Sequence, residues 1–306
     1  MKTIAILLVM LNYLTGSSAI VKDSLWGILT DPQTYSLHTL AAQFLKPEPV
    51  RDVLYPNPVI NATAAIITDL DTGKVLYAKD ADSQLAIASI TKIMTAVVVL
   101  NSQADLEQAY IVPEEATEIS GSQLYLLANE TVTIKSLLQA ALIGSANDAA
   151  YTLAYNTAGS EEKFVDLMND YANYLGLNCT HFTNAWGADD PNHYACARDL
   201  AKLTGIALQN ETFRSIVATE KTTITDTTGK LKYTLGNTNK LVGKYVNIVG
   251  VKTGTTDSAG ESLIVAAKGE SNQTVIAVLL NSPDRFTEGK NLLDWALRAY
   301  NWIEPL

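Results

Sequence analysis

Apolar and polar residues follow two periods along this chain, and the order of those periods predicts the fold. The run Ala64-Ala-Ile-Ile-Thr-Asp-Leu70 is apolar and β-prone. Asp71-Thr-Gly73 reads as a turn, and Lys74-Val-Leu-Tyr-Ala78 resumes an extended pattern, so this stretch predicts a hairpin. Ile90–Leu100 is apolar on every side, which predicts a central rather than a surface helix. Thr133–Leu142 and Asp148–Tyr155 predict two more helices. Glu161–Leu175 has the clearest helical period, with Phe164, Leu167, Met168, Tyr171 and Leu175 on one stripe and Gly176 as its stop. Asp199–Gln209 predicts another helix. From Thr222 strands take over, at Thr222–Thr225, Val246–Thr253, Ser262–Lys268 and Thr274–Leu280, and Asn291–Trp302 predicts a closing amphipathic helix. Two strands, a helical middle, then strands and a helix read as an α+β fold. Its first and last strands pair in one antiparallel sheet flanked by helices, with a helical subdomain inserted.

Ahead of this pattern the chain is organised differently. Lys2 precedes an apolar run, Ile4–Leu14, and Gly16-Ser-Ser-Ala19 supplies small residues for cleavage after Ala19, so residues 1–21 read as a signal peptide. Thr3–Val21 carries no charge and is also long enough for an uncleaved membrane anchor; cleavage is the preferred reading. Residues 22–58, with Pro32, Pro47, Pro49, Pro56 and Pro58, read as a linker or extended arm with a short helix near Leu37–Leu45. Residues 59–306 then form the catalytic domain.

Composition narrows the function classes. The chain of 306 residues has a net charge of −10 and lacks a basic stripe, which argues against a nucleic-acid partner. His38, His181 and His193 show no metal-ligand spacing, so no metal or other cofactor is expected, and His181 and His193 read as loop or cap residues. Cys179 and Cys196 either bridge, which export permits, or stay as two small buried thiols.

Three motifs carry the chemistry. In Ser89-Ile-Thr-Lys92 the serine and lysine lie one helical turn apart on one face. A serine hydroxyl needs a base, and a lysine serves once burial and the positive end of a helix favour its neutral form. In Ser145-Ala-Asn147 the serine suits proton relay, and the asparagine suits orienting a lysine or binding a substrate amide. Lys252-Thr-Gly254 ends an apolar strand; Lys252 and Thr253 suit a carboxylate, and Gly254 leaves room for substrate along the strand. Each motif alone is more often a cap, a turn or an edge lysine. Together, in this order and in these local contexts, they are not.

The trio resembles that of the low-molecular-mass penicillin-binding proteins acting as D-alanyl-D-alanine carboxypeptidases. The resemblance runs over about residues 60–302. It includes Ala88-Ser-Ile-Thr-Lys-Ile-Met-Thr-Ala96, Gly144-Ser-Ala-Asn-Asp-Ala-Ala150, Arg198-Asp-Leu-Ala201 and Val251-Lys-Thr-Gly-Thr-Thr-Asp-Ser-Ala-Gly260, with Asn184, Gly187 and His193 at similar positions. It implies a β-lactamase/transpeptidase-like fold and removal of the terminal D-Ala from peptidoglycan stem pentapeptides through an acyl-enzyme on Ser89. Lys92 is then the base and Ser145 the proton relay. The N–H groups of Ser89 and Thr255 form the oxyanion hole, and Lys252, Thr253 and Arg285 hold the terminal carboxylate. β-Lactams are expected to acylate Ser89.

The family's β-rich second domain and C-terminal anchor have no counterpart here, so any membrane attachment is expected through the N-terminus, on the outer face of the membrane or in the periplasm. Three other readings compete. A D,D-endopeptidase acting on peptidoglycan cross-links uses the same residues. A class A-like β-lactamase needs a glutamate where this chain reads Asp170-Tyr-Ala-Asn-Tyr-Leu-Gly-Leu-Asn178. A non-catalytic peptidoglycan-binding protein does not require every motif intact.

Overall fold

The computed structural model describes residues 46–102, 105–245 and 247–303. Pro49–Trp302 forms one compact unit. The signal or anchor segment, the helix expected near Leu37–Leu45 and His38 lie outside the described residues.

Five antiparallel strands make the central sheet: β2 (Ala64–Asp69), β3 (Val75–Lys79), β8 (Ile248–Thr256), β9 (Gly260–Lys268) and β10 (Thr274–Leu280), in the order β3-β2-β10-β9-β8. The expected pairing of first and last strands is β2 with β10, in register from Asp69↔Val275 to Ala64↔Leu280. Alternate residues serve opposite faces. Ile66, Ile264, Ala266, Ile276 and Val278 join the core formed with the helical middle of the chain. Ala65, Ile67, Leu263, Val265, Ala277 and Leu279 face Leu292, Leu293 and Ala296 of the final helix. A sheet covered on both faces explains why these strands read as continuous apolar runs.

The helices between the two halves of the sheet are α1 (Lys92–Ser102), α2 (Ile134–Ile143), α3 (Asn147–Ala158), α4 (Glu161–Tyr174), α5 (Ala197–Ala207) and α6 (Glu211–Val217). A 3₁₀ turn, Ala88–Thr91, leads into α1, and every residue from Lys92 to Val99 is buried, as an apolar-all-round helix requires. Thr133 and Ser160 cap α2 and α4 by accepting the N–H groups of Ser136 and Lys163. Gly176, with φ +62°, follows the end of α4 at Tyr174. Two small hairpins lacked a clear pattern in the sequence: β4 (Ala109–Ile111) with β5 (Thr131–Thr133), and β7 (Lys232–Gly236) beside the expected β6 (Lys221–Thr225). Helix α6, capped by Asn210, was likewise unmarked.

Two expectations are corrected. The closing helix α7 spans Arg285–Ala299, capped by the Asp284 side chain on the N–H of Thr287, and stops before Trp302. Tyr300–Ile303 is instead strand β11, because Tyr300 and Trp302 alternate to one side, where they bond the Leu76 carbonyl and Asp69. Its partner is β1 (Glu48–Arg51), inside the stretch expected to be a linker or extended arm. That stretch is anchored further by the Trp295 indole N–H on the Pro56 carbonyl and by Arg51 lying 5.5 Å over the Trp295 ring. Among the described residues no helix is long and apolar enough to cross a membrane.

Candidate active site

The three motifs converge where the start of α1, the α2–α3 turn and strand β8 meet. Lys92 is wholly buried, and its Nζ makes three contacts: 2.8 Å to Ser89 Oγ, 2.7 Å to Asn147 Oδ1 and 2.7 Å to the Trp186 carbonyl. Asn147 is fixed in that orientation because its amide Nδ2 donates to the Ser120 carbonyl at 2.7 Å. Burial holds the Lys92 amine well below the usual lysine range. The charge of Lys252 lowers it further, and Asp148 opposes both.

Ser145 sits in the sharp turn between α2 and α3 with φ +63°, a left-handed conformation that a serine adopts only when its surroundings impose it. Its Oγ accepts a hydrogen bond from Lys252 Nζ at 2.9 Å, which ties the second motif to the third. Next to Asn147, the buried Asp148 accepts the backbone N–H groups of Leu124, Leu126 and Ala149, pinning the 120–127 loop over this turn.

Lys252 is buried, and its second contact is the Thr253 carbonyl at 3.0 Å. Burial, then the nearby Arg285 charge, brings its amine down to about 7. Thr253 donates to Thr238 Oγ1. Arg285, at the start of α7, donates through Nη1 to the Gly254 carbonyl (2.8 Å) and to Thr255 Oγ1 (2.5 Å), so it belongs to the same end of β8. The fold itself also requires Gly254. A Cβ there would stand 2.6 Å from the Ile87 carbonyl and 3.2 Å from Ala88 Cβ. The glycine lets β8 close onto the turn that carries Ser89.

One loop not singled out by any motif completes the site. Cys179 and Cys196 are joined in a disulfide, with Cα atoms 5.8 Å apart, so their sulfurs are engaged with each other although Asp199 lies close by. The loop between them supplies the Trp186 carbonyl to Lys92 and the Ala185 carbonyl to Thr95 Oγ1. Its Asp189 carboxylate accepts from Thr256 Oγ1 and from the Ser258 N–H at the end of β8. Asn184 Oδ1 holds its tip by accepting the N–H of Gly187 at 2.7 Å. His193, on this loop as expected, is buried and lies 2.7 Å from Thr91 Oγ1, whereas His181 is exposed. A backbone carbonyl such as that of Trp186 leaves no mark in a sequence. Asp148, inside the quoted Gly144–Ala150 stretch, and His193, named with Asn184 and Gly187, were present in the sequence reading without these roles.

This fold and constellation define the class of active-site-serine D,D-peptidases and transpeptidases. The profile of the D-alanyl-D-alanine carboxypeptidase family matches residues 53–284, and the chain belongs to that family. It is 35% identical to the D-alanyl-D-alanine carboxypeptidase DacF of Bacillus subtilis, over 78% of this chain and 63% of that protein. It is 34% identical to a D-alanyl-D-alanine endopeptidase of Pseudomonas aeruginosa, over 79% of this chain and 76% of that protein. The crystal structure of the Streptomyces K15 DD-transpeptidase superposes with a TM-score of 0.76 at 32% identity, covering 79% of this chain and 99% of that one. The chain spans less than two thirds of the length of several carboxypeptidase relatives, 63% and 64% in two cases.

Proposed function

We propose that this chain is an exported serine-type D-Ala-D-Ala carboxypeptidase that trims the terminal D-Ala from peptidoglycan stem pentapeptides and is acylated by β-lactams. The carrying observation is the set of partners around Lys92 Nζ. Two of the three are carbonyl oxygens, of Asn147 and Trp186, which only accept. A neutral amine has two N–H groups and one lone pair. With both N–H groups directed to those carbonyls, the lone pair faces Ser89 Oγ at 2.8 Å, the arrangement a general base needs.

In this reading Ser89 Oγ attacks the carbonyl carbon of the penultimate D-Ala while its proton passes to Lys92. The N–H groups of Ser89 and Thr255 hold the oxyanion. The carbon–nitrogen bond breaks as the D-Ala amine takes a proton by way of Ser145, which Lys252 orients. Lys252, Thr253 and Arg285 receive the substrate's terminal carboxylate. Water then hydrolyses the ester, returning Ser89. Among the described residues, the hydrogen-bond partners of Lys92 include no carboxylate to activate that water, which supports slow release of a bound β-lactam and disfavours the β-lactamase reading.

Labelling with a fluorescent penicillin tests the acyl step: the wild type forms a covalent adduct and Ser89→Ala forms none. An undiminished adduct on Ser89→Ala overturns the assignment. A second reading, endopeptidase action on cross-links, is favoured by the Pseudomonas relative's name. Comparing D-Ala release from a pentapeptide with cleavage of a cross-linked dimer separates the two.

A further inference from the structure

We infer that His193 is a positioning residue that, acting through Thr91, fixes the orientation of the Ala88–Ser89 peptide group and so aims the Ser89 N–H at the reacting carbonyl. The inference rests on the reading of that N–H as an oxyanion donor.

The hydrogen-bond chain has a defined direction. The Thr183 backbone N–H donates to His193 Nδ1 at 3.0 Å, so Nδ1 carries a lone pair. Thr91 has one hydroxyl proton, and it goes to the Ala88 carbonyl at 2.7 Å. The 2.7 Å contact between Thr91 Oγ1 and His193 Nε2 therefore has Nε2–H as its donor. The imidazole is the neutral Nε2–H tautomer, and every proton in the series points toward Ala88. Burial favours the same state by pushing the His193 pKa down to about 4, against the pull of Asp190 and Asp189, while His181 adds to the lowering.

The far end of the chain is where precision matters. Ala88 has φ +48°, a left-handed conformation unusual for alanine, directly before the nucleophile. Gly187 packs directly against the same group: a Cβ on it would lie 1.9 Å from the Ala88 carbonyl oxygen and 2.9 Å from Ser89 N. The C=O of residue 88 and the N–H of residue 89 belong to one planar unit, so fixing one direction fixes the other. The strained peptide is bonded by a hydroxyl and closely packed by a glycine, and His193 holds the hydroxyl.

The test is the rate of fluorescent-penicillin acylation in Thr91→Val, His193→Phe and their combination, with Thr91→Ser and His193→Gln as variants that retain a donor at each point. Each disruptive change is expected to slow acylation by about 10- to 100-fold, less than outright loss of an oxyanion donor. The double variant is expected to be no slower than the worse single one within about threefold, because both cut one relay. Thr91→Ser and His193→Gln should recover most of the rate. Losses that multiply, or a Thr91→Val enzyme that acylates like the wild type, overturn the relay. An imidazole nitrogen-15 spectrum of wild type at neutral pH provides a readout independent of activity and of variant folding. The neutral Nε2–H form supports the relay, and an Nδ1–H or charged ring overturns it. Failure of the wild type itself to label refutes the proposed function and leaves the tautomer to decide this inference.

Discussion

Lys92 and Lys252 are two buried amines that the proposed reaction uses in opposite charge states. Lys92 acts as a base only when neutral, so acylation rises with pH as its depressed pKa is passed. Lys252 attracts a carboxylate only when charged, and its amine loses the proton as pH rises through about 7. The expected pH profile of kcat/KM on a D-Ala-D-Ala peptide is a bell, with Lys92 on the acid limb and Lys252 on the alkaline one. Arg285 is the second cause of the Lys252 depression, after burial. Arg285→Ala should therefore move the alkaline limb upward as well as weaken binding; an unmoved limb would remove Lys252 from that role. Ser89, Lys92, Ser145, Asn147 and Lys252 were readable from the sequence because their chemistry resides in side chains at short, ordered spacings. The Trp186 carbonyl was not, since any residue has one, and its position depends on a loop fixed by Asn184, Asp189 and His193.

At the scale of elements, the proposed acylation depends on how closely β8 approaches the Ala88–Thr91 turn. Gly254→Ala would set a methyl carbon 2.6 Å from the Ile87 carbonyl, so strand or turn must yield. A displacement near 1 Å is enough to lower the acylation rate by about 100-fold. The sheet core behind it is untouched, so the variant should still melt cooperatively, measurable by circular dichroism beside penicillin labelling. The element pattern was readable where burial is one-sided or total, as in α1, α4 and the central strands. It failed where neighbours decide the outcome. Tyr300-Asn-Trp302 continues an amphipathic helix by composition but becomes a strand because Leu76, Asp69 and β1 offer partners. Short hairpins such as β4–β5 have too few residues to show a period.

Across the whole molecule, the disulfide closes the loop that reaches both Lys92 and β8. With a separation of 17 residues, it is expected to contribute about 3 kcal/mol, mostly by restricting the unfolded chain. Cys179→Ala/Cys196→Ala should lower Tm by roughly 5–10 °C in a thermal melt. Loss of stability by that route should exceed loss of acylation at low temperature, because Asp199 still holds the Cys179 N–H and the Thr180 hydroxyl at the base of the loop.

The pairing of β2 with β10 carries a consequence in time. Asp69 meets Val275, and β8 joins the sheet only by way of β9 and β10. Loop closure over that span costs about 5 kcal/mol before any contact repays it. Ser89 and Lys92 are made early in synthesis, but Lys252 cannot reach Ser145 until the late strands dock. The nascent chain therefore lacks the Lys252–Ser145 contact, and under the export proposed above it would carry an unarmed serine until the late strands fold. In refolding experiments, capacity to bind penicillin should appear with the last, sheet-closing phase rather than with the earlier gain of helix.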